Sequence, residues 1–199
     1  MRPFLLFCSS LLLLGATSCH SASGSASTGD SSTARATDTM VTHSNTNAMA
    51  NDSSILPSAD ADFLKNAATG GMMEVELGKI AQRNASRTTI KEFGALMVKD
   101  HGMGGDKIKS LAASKNYALP DSLTDKQSRE KDRLQKKTGN DFDRDYVKMM
   151  VDDHKEDIKD FEKEATNGKD PDIKTFAENT LRMLHRHLDK AQAIEAALK

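Results

Sequence analysis

From Ser58 to the C-terminus, apolar side chains return every third or fourth residue in four long runs, the repeat that gathers them on one face of an α-helix. The first run predicts a helix over about 59–85, with Phe63, Ala67, Gly70, Met73, Leu77, Ile80 and Ala81 on its inner stripe. Ser58 is placed to cap it, and Asp60 and Asp62 fall in its first turn, where the helix dipole favours acids. Ser86 then caps a second helix, about 87–115, whose stripe holds Ile90, Phe93, Met97, Ile108 and Leu111. Pro120 breaks the following stretch, and Thr124 opens a short, strongly charged helix to about Lys137 that carries Leu134 as its one large apolar residue and is expected on the surface. A fourth helix over about 140–166 presents Phe142, Tyr146, Met150, Ile158, Phe161 and Ala165. Gly168 stops it, Asp170 and Pro171 suit the N-cap and first position of the next, and the last helix runs to the C-terminus on Ile173, Ala177, Leu184, Leu188, Ala191 and Leu198.

Four long amphipathic helices make an all-α four-helix bundle the economical solution. Short loops join the first two and the last two, so each pair is antiparallel. The stretch between the pairs is long enough to travel the length of the bundle, which favours a ferritin-like crossover over simple up-down-up-down. Composition agrees with helices rather than strands: aromatic residues make up 5%, Trp is absent and there are ten Met. Residues 59–199 hold 26 Lys and Arg against 26 Asp and Glu, interleaved in sign, which argues against nucleic acid as a partner.

Residues 1–18 read as a secretory signal: one basic residue, an apolar run too short to span a bilayer with its flanks, then small residues. Gly15-Ala16-Thr17-Ser18-Cys19 resembles the lipobox of bacterial lipoproteins, with Ala16 where that motif usually has Leu. Cys8 lies in the apolar run and no third cysteine exists to pair with Cys19, so the mature chain is expected to carry a lipid on Cys19 rather than a disulfide. From His20 to Ser58 the chain has 16 Ser or Thr in 39 residues and few large apolar side chains, a composition expected to stay disordered. Such a linker has a root-mean-square reach of about 31–37 Å. The expected organisation is therefore signal peptide 1–18, lipidated cysteine and linker 19–58, and bundle domain 59–199. It implies an exported protein held to a bacterial membrane by its N-terminal lipid, with the domain in the periplasm or at the cell surface and its protein partner unidentified.

The histidines carry the most chemical information. At about 100° per residue, His101 stands about 40° from Met97 at the centre of its stripe, and His154 has the same offset from Met150. His187 stands about 60° from Leu184, and Glu74 about 60° from Leu77, whereas Glu76 and His185 fall at the edge or in solvent. Each long helix thus turns one polar group inward, and counting from the two hairpin turns sets Glu74, His101, His154 and His187 near mid-bundle. One carboxylate and three imidazoles are a suitable donor set for a divalent transition metal. The same groups, with Asp100, Asp153 and Asp157 nearby, also suit a buried polar layer that fixes helix register, or a small-ligand pocket. Met97 and Met150 read as core filler. Gly102, Gly104 and Gly105 read as a place of close helix approach or a kink. No nucleophilic triad, phosphate loop or paired-cysteine motif occurs, so no catalytic residue is assigned.

From about Asp62 to Ala191 the chain resembles the bacterial DUF4142 family, ferritin-like proteins of the envelope. The resemblance is carried by Gly70-Gly71-Met72-Met73-Glu74-Val75-Glu76-Leu77-Gly78, by Met97-Val98-Lys99-Asp100-His101, by Phe161-Glu162-Lys163-Glu164-Ala165, and by His187-Leu188. It implies a ferritin-like fold and leaves the activity open. The residues three before His101 and His187 are Val98 and Leu184, so the Glu-x-x-His pairs of ferritin-like di-iron proteins are missing. Two functions follow as expectations: a non-enzymatic, membrane-tethered binding or stress-related module, or a metal-binding or redox protein using the inward His and Glu.

Overall fold

The computed structural model describes residues 56–199, so the readings of the signal peptide, Cys19 and most of the linker lie outside the described residues. The apolar repeats form five helices: α1 (Ser58–Asn84), α2 (Thr88–Ser114), α3 (Asp125–Gln135), α4 (Gly139–Asn167) and α5 (Pro171–Ala196). The arrangement is a ferritin-like four-helix bundle, and α3 is the extra short helix in its crossover. The start of α1 meets the end of α4 and the start of α5, where the Asp60 carboxylate accepts from the backbone N–H groups of Lys169 and Asp170. At the other end the Asp143 carboxylate, near the start of α4, accepts from the N–H groups of Ser86 and Arg87 and from the Ser86 hydroxyl. Lys115, just past α2, pairs with Asp170 and Asp172 at the start of α5. These ties make α1 antiparallel to α4 and α2 antiparallel to α5. Residues 115–138 therefore traverse the whole bundle.

Two of the sequence-based caps are corrected here. Ser58 lies inside α1, Pro57 occupies the N-cap, and no side chain caps that end. Ser86 precedes the Arg87 N-cap of α2, which likewise has no side-chain cap, and spends its hydroxyl on Asn140 and Asp143 of α4 instead. At Ser86 a tertiary contact has displaced the local one. Asp60, in the first turn as the sequence placed it, is fully buried because it closes the opposite hairpin's turn. Where no such competitor exists, the local signals operate as expected. Thr124 and Gln127 form a reciprocal capping box, and Asp170 caps α5 with Pro171 behind it.

The interior is divided in two. One apolar cluster contains Leu77, Ile90, Phe93, Phe142, Tyr146 and Val147, and Leu134 of α3 reaches it with no exposed surface. The other contains Phe63, Leu64, Ile108, Phe161, Ile173 and Leu184 at the opposite end. Between them lie the buried polar residues Glu74, His101, His154 and His187.

Close helix approach occurs at Gly78 and Gly94, not at Gly102, Gly104 and Gly105 as the sequence suggested. A Cβ on Gly78 would stand 2.6 Å from the Gly94 carbonyl oxygen, and one on Gly94 would stand 2.7 Å from that of Gly78. This backbone-to-backbone crossing of α1 and α2 lies about one turn from Glu74 and two from His101. It holds the two helices near enough for a short carboxylate and an imidazole to meet.

Candidate metal centre

The four inward groups come together at mid-bundle, one from each long helix. His101 donates from Nδ1 to Glu74 Oε2 at 2.7 Å. His154 donates from Nδ1 to the Met150 carbonyl at 2.9 Å, one helical turn back on its own helix. His187 donates from Nε2 to Asp100 Oδ2 at 3.0 Å. A carbonyl and two carboxylates only accept, so these three contacts put the ring proton on the outward nitrogen of every imidazole.

The inward nitrogens are then bare lone pairs, and they face one another. His187 Nδ1 lies 3.2 Å from His101 Nε2 and 3.3 Å from His154 Nε2. One nitrogen from each ring falls within 4.8 Å of the other two. For metal–nitrogen bonds of about 2.0–2.1 Å, a tetrahedral site separates its donors by about 3.3–3.4 Å, so two of the three edges already have that length. Three lone pairs at this distance repel unless a cation or a proton sits among them.

Glu74 meets the rings from outside this focus. Its Oε2 receives the His101 proton, and its Oε1 stands 3.4 Å from His154 Nδ1 without forming a hydrogen bond. Of the three carboxylates that the sequence placed beside the layer, Asp100 bonds a histidine, whereas Asp153 and Asp157 make no hydrogen bond to one. His185 is exposed and Glu76 pairs with Lys79 at the surface, as the helical wheel implied. Met97 and Met150 are fully buried in the apolar cluster above the layer.

Charge follows from burial and neighbours. Burial works to raise the Glu74 carboxyl, but the surrounding His101 and His154 outweigh it and hold the group below its ordinary value. Burial disfavours the charged form of His101, yet Glu74 beside it prevails and raises that ring's pKa. For His154 burial wins over the attraction of Glu74, and the ring is pushed down. His187 is pushed down to about 4, chiefly by burial and against the pull of Asp100. Burial, followed by repulsion from Glu74, raises Asp153 to about 7 and Asp157 well above the usual carboxylate range. Two of the three rings thus resist protonation and keep their lone pairs available.

What sequence periodicity missed is the division of labour between the two nitrogens of each ring. It placed Asp100 near the layer but had no means of pairing it with His187, which lies on another helix and depends on the crossover topology.

The comparisons with known proteins agree with this architecture. A DUF305 protein from Streptomyces coelicolor, assigned as secreted, superposes with a TM-score of 0.61 at 12% identity, covering 70% of this chain and 92% of that one. The copper(II)-bound form of CopM superposes with a TM-score of 0.57 at 12% identity, covering 70% of this chain and 97% of that one. At such identity the likeness is one of fold. Among curated proteins no sequence matches this chain. A profile for the domain of unknown function DUF4142 matches residues 43–194, more than half of the sequence, and the chain belongs to that family.

Proposed function

We propose that the bundle is a metal-binding module that holds one divalent transition-metal ion on His101 Nε2, His154 Nε2 and His187 Nδ1. The observation that carries this reading is the convergence of three ring nitrogens whose opposite nitrogens all face acceptors. Glu74, Asp100 and the Met150 carbonyl act as orienting groups that fix tautomer and ring direction, the usual role of acceptors behind metal-bound imidazoles. Neutral imidazoles suit zinc, copper(II), iron and nickel. The copper-bound state of CopM supports copper as a first metal to try. A purely structural polar layer accounts for the three outer hydrogen bonds and, with a second proton on His101, for its contact with His187, but leaves His154 Nε2 opposed to His187 Nδ1.

Metal analysis of the protein purified without an affinity tag tests this directly. About one equivalent of a first-row metal is expected, restored by dialysis after chelation. Affinity is expected to fall in stages as pH drops, first through the raised value of His101, above the ordinary imidazole range, and again toward about 4, where His187 protonates, because a proton competes for the same lone pair. A metal-free protein that takes up neither copper, zinc nor manganese would refute the assignment.

The same proposal puts the module in the bacterial envelope, exported and held by a lipid on Cys19. Its support is the order of basic, apolar and small residues before that cysteine. Cys19→Ser is expected to release the protein from the membrane fraction without loss of helicity by circular dichroism. Unchanged retention in that fraction would count against the anchor.

A further inference from the structure

We propose that the metal enters this site through a glycine-lined gap between α1 and α2, facing the crossover segment; the inference rests on the metal-binding reading above. Gly70 and Gly71 on α1 lie within a turn of Glu74, and Gly102, Gly104 and Gly105 on α2 lie within a turn of His101. Glycine weakens a helix, so five of them at one level call for a reason. Gly78 and Gly94 have one in their backbone contact. These five do not: a Cβ on Gly71, Gly102, Gly104 or Gly105 would meet nothing within 4 Å, and one on Gly70 would find only Asp157 Oδ1 at 3.9 Å. They keep space open rather than permit a contact.

Two cavities meet at that space. An outer groove of about 700 Å³ runs between α1, α2 and the crossover residues Leu119 to Leu123. An inner cavity of about 30 Å³ lies inside the bundle, bordered by Glu74 and Asp157 among others. Gly71, Gly105 and His101 line both. A cation in the groove therefore passes between Gly71 and Gly105 and meets the Glu74 carboxylate and His101, whose Nε2 is a donor of the focus. Glu74 is only 2% exposed, yet its Oε1 has no hydrogen-bond partner, so an oxygen bordering the inner cavity stands free to receive a passing ion.

The opposite approach is less open to the donors. The α2–α5 groove reaches Asp100 and His187, but there the Asp100 carboxylate occupies His187 Nε2 and the ring is 1% exposed.

An entrance alters barriers and not end states, so blocking it slows loading and unloading together. The test uses the full-length chain, with cobalt(II) uptake followed by stopped-flow absorbance and release followed after adding EDTA. Gly71→Leu and Gly105→Leu are expected to slow both rates tenfold or more while the Kd ratio stays within about twofold. Asp189→Leu, in the α2–α5 groove, is expected to change neither rate. Should the leucines disturb folding by circular dichroism, the double variant Gly71→Ala with Gly105→Ala serves instead, with a slowing of about threefold. Unchanged rates in the glycine variants, slowing only in Asp189→Leu, or weakened Kd with unchanged uptake would each overturn the entrance. Failure of the unmutated chain to take up cobalt is a separate result, visible before any variant is made, and refutes the metal reading on which the entrance depends.

Discussion

Alanine at His101, His154 or His187 is expected to remove nearly all of the stabilisation that a bound metal confers. A ligand that binds only the folded state adds RT ln(1 + [L]/Kd), about 4.1 kcal/mol when free metal exceeds Kd a thousandfold. For a domain of this size that is a rise in Tm of about 10 °C. Each histidine supplies one of the three donors, so a single deletion leaves two imidazoles and a much weaker site. His185→Ala is the control, because that ring is exposed one turn or less from the focus on the same helix and is expected to keep the full shift. Asp100→Asn should fall between the two. It keeps the side-chain shape but weakens the hold on His187, and lost orienting acceptors cost about 10- to 100-fold in metal affinity. Melts of each variant with and without copper(II) and zinc read the result. If the polar layer is structural only, no metal will move the curve of the unmutated protein. Each buried histidine replaced by alanine would then simply lower Tm, as its former acceptor loses its donor.

Glycine-to-alanine substitutions are expected to divide by sign. Gly78→Ala and Gly94→Ala place a Cβ 2.6–2.7 Å from a carbonyl oxygen of the facing helix, and neither backbone can yield without separating α1 from α2. A loss of about 3 kcal/mol is expected, from overpacking larger than the gain in helix propensity. The separation should also pull Glu74 away from His101, so metal affinity should fall with stability. Gly104→Ala and Gly105→Ala meet no atom and should gain about 0.8–1 kcal/mol each from propensity alone. Urea titrations of the four variants measure both signs. Destabilisation at Gly104 or Gly105 would mean that those positions are packed after all.

Most of the scaffold was legible because its signals are local and repeated. The helix stripes, the start at Thr124 and the Asp170-Pro171 restart each depend on a few neighbouring residues, and the structure reproduces them to within three residues. The crossover followed from loop length. The inward faces of Glu74, His101, His154 and His187 followed from angle counting, and all four are buried together.

The rest was decided by partners far away in sequence. Ser86 carries the right chemistry for a cap, but Asp143 arrives from α4 and takes its hydroxyl. The glycines of α1 and α2 look alike in sequence, and only the crossing point tells those that permit contact from those that border a gap. Periodicity fixes the face on which a residue lies but not its rotamer. Which nitrogen of each ring points at the focus, and that Glu74 stands behind the rings, was therefore beyond its reach.

The exchange of carboxylates between the two hairpins has a consequence for how the molecule assembles. Asp60 belongs to the first hairpin and seals the turn of the second, while Asp143 belongs to the second and seals the turn of the first. Neither half carries the part that finishes it. Helices form quickly from neighbouring contacts, but both latches shut only when the halves dock, so turn closure is a late event shared by the whole domain. The same docking brings Glu74 and His101 from one half against His154 and His187 from the other. A chain that has not yet assembled thus lacks the proposed site, and on that reading capture of an ion would report that folding is complete.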